Sequence, residues 1–242
     1  MKKIDIHCHI LPGLDDGAES VKRSLSMIRM ASGQGISAVI ATPHHSNMYG
    51  AATPIQIRQQ CRTLEMRAQQ SLNIEFHIYP GQEILYSDNV IERLNRGELL
   101  TLADSRYVLI EFLPNIPYSI LYRSIREMVA ARYRPVLAHV ERYGALRVDG
   151  RIEELYDAGA YMQMNYRPVG GRWFDETTRW CRRMLKAGNI HFLGTDMHNT
   201  DGRRPQTREA MLWMAKHIER EDVAGMCYKN AQAVLTDRLL PS

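Results

Sequence analysis

Ile4-Asp5-Ile6-His7-Cys8-His9 is the stretch whose reading decides the fold. It is a short apolar run that ends in two histidines two residues apart. Successive side chains of a β-strand point to opposite faces, so His7 and His9 point one way and Cys8 the other. Two imidazoles side by side at the end of a buried strand form a pincer for a metal ion. The question for the rest of the chain is whether other strands end in the same way.

Working outward, the chain of 242 residues is 45% hydrophobic and 24% charged, with a net charge of +4. That length suits one large α/β domain and buries an ample core. No apolar run approaches the ~18 residues of a membrane span. Met1-Lys2-Lys3 could begin a signal peptide, but Asp5, His7 and His9 interrupt any apolar segment after it, so the chain reads as unprocessed and cytoplasmic. Only six of the 31 basic residues are lysine, at positions 2, 3, 22, 186, 216 and 229; the others are arginine, the side chain suited to bidentate contact with phosphate or carboxylate. No dense basic run marks a nucleic-acid partner. Cys8, Cys61, Cys181 and Cys227 are far apart, with no CxxC, which argues against a disulfide framework or a zinc ribbon.

Strand and helix patterns alternate along the chain. Short apolar runs predict strands over 3–10, 36–42, 74–84, 107–112, 135–140, 161–165 and 190–195, and most read as buried on both faces. Helical patterns fill 20–34, 54–71, 88–96, 119–132, 151–158, 174–187 and 206–218, with a last helix near 220–229. Gly35, Gly159 and Gly188 stand where helices should stop. Seven βα units come to about 35 residues each, near the barrel norm of about 250 residues for eight. The expected architecture is α/β, a distorted parallel (β/α)7 barrel in one domain spanning 1–242, with an open doubly wound sheet as the alternative.

Six of the seven strands deliver a histidine, aspartate or glutamate at or near the end where parallel barrels build active sites. These are His7 and His9, His44, Glu83, Glu111, His139, and Asp196 with His198; the loop after the first strand adds Asp16 from the pair Asp15-Asp16. Asp196 and His198 repeat the spacing of His7 and His9. Nine mixed nitrogen and oxygen donors suit two or three divalent ions, with manganese, iron or zinc the candidates. Converging carboxylates would repel one another without cations between them. His77, His191 and His217 lie away from strand ends and read as structural. His45 stands beside His44 and could touch a substrate.

Clustered divalent ions activate water near neutral pH and clamp the oxygens of an in-line displacement, chemistry that hydrolyses phosphate esters or amides. Binuclear amidohydrolases with an HxH strand commonly need a lysine at the end of the fourth strand; this chain has Glu111 there, and none of its lysines lies at a strand end. Arg142 follows His139, and Arg203 and Arg204 follow His198. Guanidinium groups at the rim of a metal cluster suit a phosphate dianion. Cys61 and Arg67 match C-x5-R, but in a helical stretch without glycine, whose backbone cannot wrap a phosphate. No nucleotide-binding loop motif is present.

These motifs together resemble the PHP (polymerase and histidinol phosphatase) family, and within it the bacterial protein-tyrosine phosphatases of capsule and exopolysaccharide operons. The resemblance is carried by the opening strand through Gly17, Ala41-Thr42-Pro43-His44-His45, Gly81-Gln82-Glu83-Ile84, Ser105 to Phe112, Ala138-His139-Val140-Glu141-Arg142-Tyr143, and Asp196-Met197-His198-Asn199 through Arg203. It implies a TIM-like barrel holding two or three ions, manganese before iron or zinc. It implies that His7, His9, Glu83 and Asp196 hold one ion, Glu83, Glu111 and His139 a second, and Asp16, His44 and His198 a third, while Arg142 and Arg203 bind phosphate. The implied activity is phosphotyrosine hydrolysis by in-line attack of metal-bound hydroxide. The implied partner is the tyrosine-rich tail of a bacterial tyrosine kinase that controls polysaccharide synthesis. A histidinol-phosphatase-like hydrolase and a non-catalytic metal-binding regulatory module are the alternatives, and a homo-oligomer is left open. The segments 46–53 and 167–173 match no motif of the family.

Overall fold

The computed structural model describes residues 1–46 and 50–240. Its strands are β1 (Lys3–Cys8), β2 (Ile36–Ala41), β3 (His44–Ser46), β4 (Gly50–Ala51), β5 (His77–Pro80), β6 (Glu83–Leu85), β7 (Tyr107–Glu111), β8 (Arg134–Leu137), β9 (Tyr161–Asn165) and β10 (Phe192–Gly194). Helices stand between most of them. Some of their starts are set by side-chain caps: Ser20 accepts from the Arg23 N–H, and Asp175 accepts from the Thr178 N–H. Thr53 and Gln56 cap each other's backbone, and Pro54 opens the helix Pro54–Leu72. No helix among the described residues is long and apolar enough to cross a membrane.

The fold is α/β with parallel sheets, but strand pairing does not run as one ring of seven. β1, β2 and β5 form one sheet; β10, β9, β8, β7, β6, β3 and β4 follow one another in the second. The expected strand over 74–84 is two strands, and they belong to different sheets: β5 pairs with β2, and β6 pairs with β3 and β7. The break falls at Gly81-Gln82. A β-carbon on Gly81 would stand 2.8 Å from Ile40 Cγ2, so the chain crosses there only as bare backbone. Gln82 is buried and leaves the ladder; its Oε1 accepts from the Leu100 N–H at 2.7 Å and its amide donates to the Ala52 carbonyl at 3.0 Å. Pro43, which has no N–H, makes the matching break between β2 and β3. The hairpin of β3 and β4 was not expected, and residues 47–49 of the unmatched segment 46–53 lie outside the described residues.

The two sheets meet near their C-terminal ends. At the β1–β10 edge the N–H of His9 donates to the Met197 carbonyl and that of Asp196 to the His7 carbonyl, each at 2.9 Å; within the second sheet the N–H of Glu83 reaches the Pro43 carbonyl at 3.2 Å. Apolar residues of both sheets share one interior: Ile4, Ile6, Ala38, Ile40, Leu109, Val136 and Phe192 pack as one buried cluster. The last helix continues past the expected 229 through Leu235.

A Gly81→Ala substitution tests the crossing point. The added methyl group overpacks the core against Ile40 and should lower the free energy of unfolding by about 1–3 kcal/mol, measured by chemical denaturation; unchanged stability would mean that the crossing has slack.

Candidate metal centre

Four strand ends converge on one carboxylate. Glu83, 1% exposed, begins β6. Its Oε2 stands 3.0 Å from Nε2 of His7, 3.1 Å from that of His9 and 3.2 Å from that of His44, and its Oε1 lies 2.8 Å from Nε2 of His139. The three nitrogens face Oε2 at angles that make no hydrogen bond. His139 hydrogen-bonds Oε1 and His9 Nε2 lies 3.3 Å from His7 Nε2, so the ligand-type atoms all crowd one small region, an arrangement that suits a cation. His198 adds to the pattern: its Nδ1–H donates to the Asp196 carbonyl at 3.0 Å, and its buried Nε2 has no hydrogen-bond partner.

The structure brings all nine expected residues into this cluster. Donor atoms of His7, His9, Glu83 and Asp196 lie within 4.8 Å of one another, as do those of His9, Asp16, His44 and His198, and those of His44, Glu83 and Glu111. His139 Nε2 is also 3.3 Å from Glu111 Oε1. The set therefore overlaps more than three separate groups would: His9, His44 and Glu83 each belong to two of them. His139 and Asp196 reach inward because their backbones turn left-handed, with φ of 33° and 51°, just beyond the ends of β8 and β10. Such conformations cost a non-glycine residue free energy and persist only where surroundings hold them. Imidazole nitrogen and carboxylate oxygen in this mixture fit manganese, iron or zinc.

Asp15, passed over in favour of Asp16, is the residue that orients two of the histidines. Its Oδ2 accepts from His9 Nδ1 at 2.7 Å and from the His44 N–H at 2.9 Å, and its Oδ1 accepts from the Gly17 N–H. With Nδ1 of His9 tied to Asp15, its Nε2 is left to face the cluster. The only sequence signal for this was the doubled aspartate. His77, His191 and His217 lie apart from the centre: His77 pairs with Glu65, His191 packs on Tyr156, and His217 stacks on Trp213. His45 sits half-buried beside Gln82, outside the three donor groups. Cys61 is buried in the helix Pro54–Leu72 and burial pushes its thiol up to about 12, which removes it as a nucleophile.

Charge in the cluster is mutually compensated. Burial disfavours charge on every member, yet the histidines hold Glu83 and Asp196 well below the usual carboxylate range. Burial likewise opposes protonation of His9, but the charge and hydrogen bond of Asp15 hold its pKa well above the ordinary value. His44 is raised to about 9 against burial by hydrogen bonds to Asp15 and Asp16, and His139 to about 9 by those to Glu111 and Glu83. His198 goes the other way, lowered to about 4 by burial and by His9.

Arg142 and Arg203 stand at the edge of the cluster, both on Asp196. Arg142 Nη2 donates to Oδ2, and Arg203 Nη2 donates to Oδ1 at 2.9 Å. With Asp196 they line a cavity of about 450 Å³ that opens past Pro114, Arg167, Pro168 and Thr177.

The comparisons with known proteins agree with this geometry. The family model described as "Capsular polysaccharide synthesis, CpsB/CapC" matches residues 3–236. The tyrosine-protein phosphatase YwqE of Bacillus subtilis is 34% identical over 98% of this chain and 93% of its own length. The tyrosine-protein phosphatase CpsB of Streptococcus pneumoniae is 30% identical over 98% of this chain and all of its own. A solved structure from the work on these two proteins, described as unique metal-dependent tyrosine phosphatases, superposes with a TM-score of 0.90 at 33% identity, covering 98% of this chain and 96% of that one.

The raised pKa values carry a pH prediction. His44 and His139 hold protons at pH 7 and must lose them when a metal ion enters. Apparent affinity for Mn²⁺ should therefore climb from about pH 6 and level off near 9, with proton release visible by calorimetry in two buffers of different ionisation enthalpy. A flat affinity over that window would contradict the charge arrangement.

Proposed function

The chain belongs to the capsular polysaccharide synthesis CpsB/CapC family, and on that premise we propose that it is a metal-dependent protein-tyrosine phosphatase, a phosphoric monoester hydrolase. The observation that carries the reading is the placement of two guanidinium groups, Arg142 and Arg203, on Asp196 at the rim of the donor cluster, facing one cavity. Histidinol phosphate and phosphotyrosine both offer a phosphoryl dianion, and family membership favours the second.

His7, His9, Asp16, His44, Glu83, Glu111, His139, Asp196 and His198 would hold two or three divalent ions, manganese before iron or zinc. When bound, the ions supply Lewis-acid charge and acidify water toward neutral pH. The residues of the chain then have separate tasks. Asp15 keeps His9 turned with Nε2 inward. Arg142 and Arg203 take the phosphoryl oxygens through planar, bidentate donors and hold phosphorus in line with the cluster. The aromatic ring of the substrate lies outward, along Pro114 and Pro168. Phenolate leaves with modest help, its conjugate acid having a pKa of about 10.

Within this reading, residues 1–242 form one PHP-type domain. The two sheets are a parallel (β/α)7 barrel distorted where Pro43 and Gly81 interrupt the ladder. The enzyme works in the cytoplasm on the phosphorylated tail of a tyrosine kinase that controls capsule or exopolysaccharide synthesis.

Turnover of a phosphotyrosine peptide, with and without chelator, and beside histidinol phosphate, tests the proposal. Chelator should abolish activity and added Mn²⁺ restore it, and the peptide should be the better substrate. Arg142→Ala and Arg203→Ala should each lower kcat/KM by roughly 100-fold, as loss of one charge-stabilising donor does, and His139→Ala should leave almost no activity. Metal-loaded protein that hydrolyses neither ester would favour a regulatory metal-binding module instead.

A further inference from the structure

β9 ends in neither imidazole nor carboxylate, yet it touches the cluster at three points. It lies between β8 and β10. Gln163 and Asn165 sit two apart on it, so they share a face, and both are buried. Gln163 Oε1 is 2.8 Å from the backbone nitrogen of His139 and 2.9 Å from Nδ1 of His7. Its Nε2 donates to Asn165 Oδ1 at 2.9 Å, and Asn165 Nδ2 donates to Asp196 Oδ2 at 3.1 Å.

Donor accounting gives this chain one direction. A backbone N–H only donates, so the Gln163 atom facing His139 must be the carbonyl oxygen. His7 can then approach the same oxygen only as Nδ1–H, so in the neutral ring the lone pair sits on Nε2, 3.0 Å from Glu83 Oε2. The NH₂ of Gln163 must face Asn165, and the NH₂ of Asn165 must face Asp196. Both residues held from β9 beyond the flanking strands, His139 and Asp196, have left-handed backbones. Gly194 on β10 leaves room for the amide: a β-carbon there would stand 2.9 Å from Gln163 Nε2 and 2.9 Å from His7 Cβ.

We propose that Gln163 and Asn165 are positioning residues of the metal centre, a one-way amide relay that fixes His7 as its Nδ1–H tautomer and holds the two left-handed ligands on either side of β9. The proposal rests on the reading of the cluster as a metal centre. The relay acts through ligand orientation, so its effect falls on metal affinity before it falls on turnover.

The test uses the full chain and competition with a chelator for Mn²⁺. Gln163→Met keeps the length of the side chain and removes both acceptor and donor; it should weaken binding by about 10–100-fold, the usual cost of losing a group that orients a ligand. Gln163→Glu still accepts from His7 and His139 but sets an oxygen against Asn165 Oδ1 where Nε2 donated, so it should recover only the part of the loss that runs through His7 and His139. Thermal unfolding of the stripped proteins separates packing from positioning. A Gln163→Met protein that unfolds at lower temperature but binds Mn²⁺ within twofold of wild type would overturn the relay. A measurement on the wild type needs no variant: nitrogen NMR of the zinc-loaded protein should show His7 protonated at Nδ1, and a proton at Nε2 refutes the relay. If the wild-type protein bound neither ion, the metal reading itself would fail, a result distinct from either of these.

Discussion

One buried carboxylate surrounded by four imidazoles is the constraint on which this structure depends. Glu83 could not be ionised in that interior alone, since stripping water from a lone carboxylate costs several kcal/mol. It is tolerated because His7 and His9 from β1, His44 from β3 and His139 from beyond β8 come to it. None of the four can be brought there by local sequence. Each needs its strand in register with its neighbour, so the chemistry of the centre and the order of the sheets are a single requirement.

Several departures from regular geometry follow from that requirement. The run over 74–84 has to change sheets to place Glu83 beside His44, and Gly81 allows the crossing where Ile40 leaves no room for a side chain. His139 and Asp196 leave their strands in left-handed conformations, and the edges of the two sheets are tied by main-chain hydrogen bonds at His7 and His9. Asp5, buried two residues before His7, accepts from the N–H groups of both His7 and Thr195 and ties β1 to the end of β10. Two of the left-handed non-glycine residues, His139 and Asp196, fall at the centre, where the packing around them holds them in place.

Much of this was legible in the sequence because the informative residues are of types that rarely cluster by chance. Histidines and carboxylates at strand ends, twice at a spacing of two, located the centre before any coordinates. Glycines at helix ends marked the βα alternation. What could not be read has physical reasons. The break within 74–84 depends on a contact between Gly81 and Ile40, forty-one positions apart, and nothing local distinguishes that glycine from a turn. Choosing between Asp15 and Asp16 needs the course of the loop, since adjacent carboxylates face different ways. Gln163 and Asn165 were silent because amides carry no ligand signature; their role appears only when each donor is matched to an acceptor. His45, read as a residue that could touch a substrate beside His44, is turned by strand alternation toward Gln82.

Asp196 joins the two halves of the site. Its Oδ1 faces His7, His9 and Arg203, at 3.6, 3.5 and 2.9 Å, while its Oδ2 takes Arg142 and Asn165. One side chain therefore belongs to the metal-facing donors and also anchors both cations that face the cavity. Guanidinium suits this position better than ammonium, because its planar fork can keep one N–H on Asp196 while presenting others to a phosphoryl oxygen. Lysine, a point charge on a flexible stem, would have to choose between them. The scarcity of lysine in this chain is a matter of composition, but arginine at 142 and 203 fits the proposed phosphate site by geometry: each holds Asp196 and has N–H groups left for a phosphoryl oxygen.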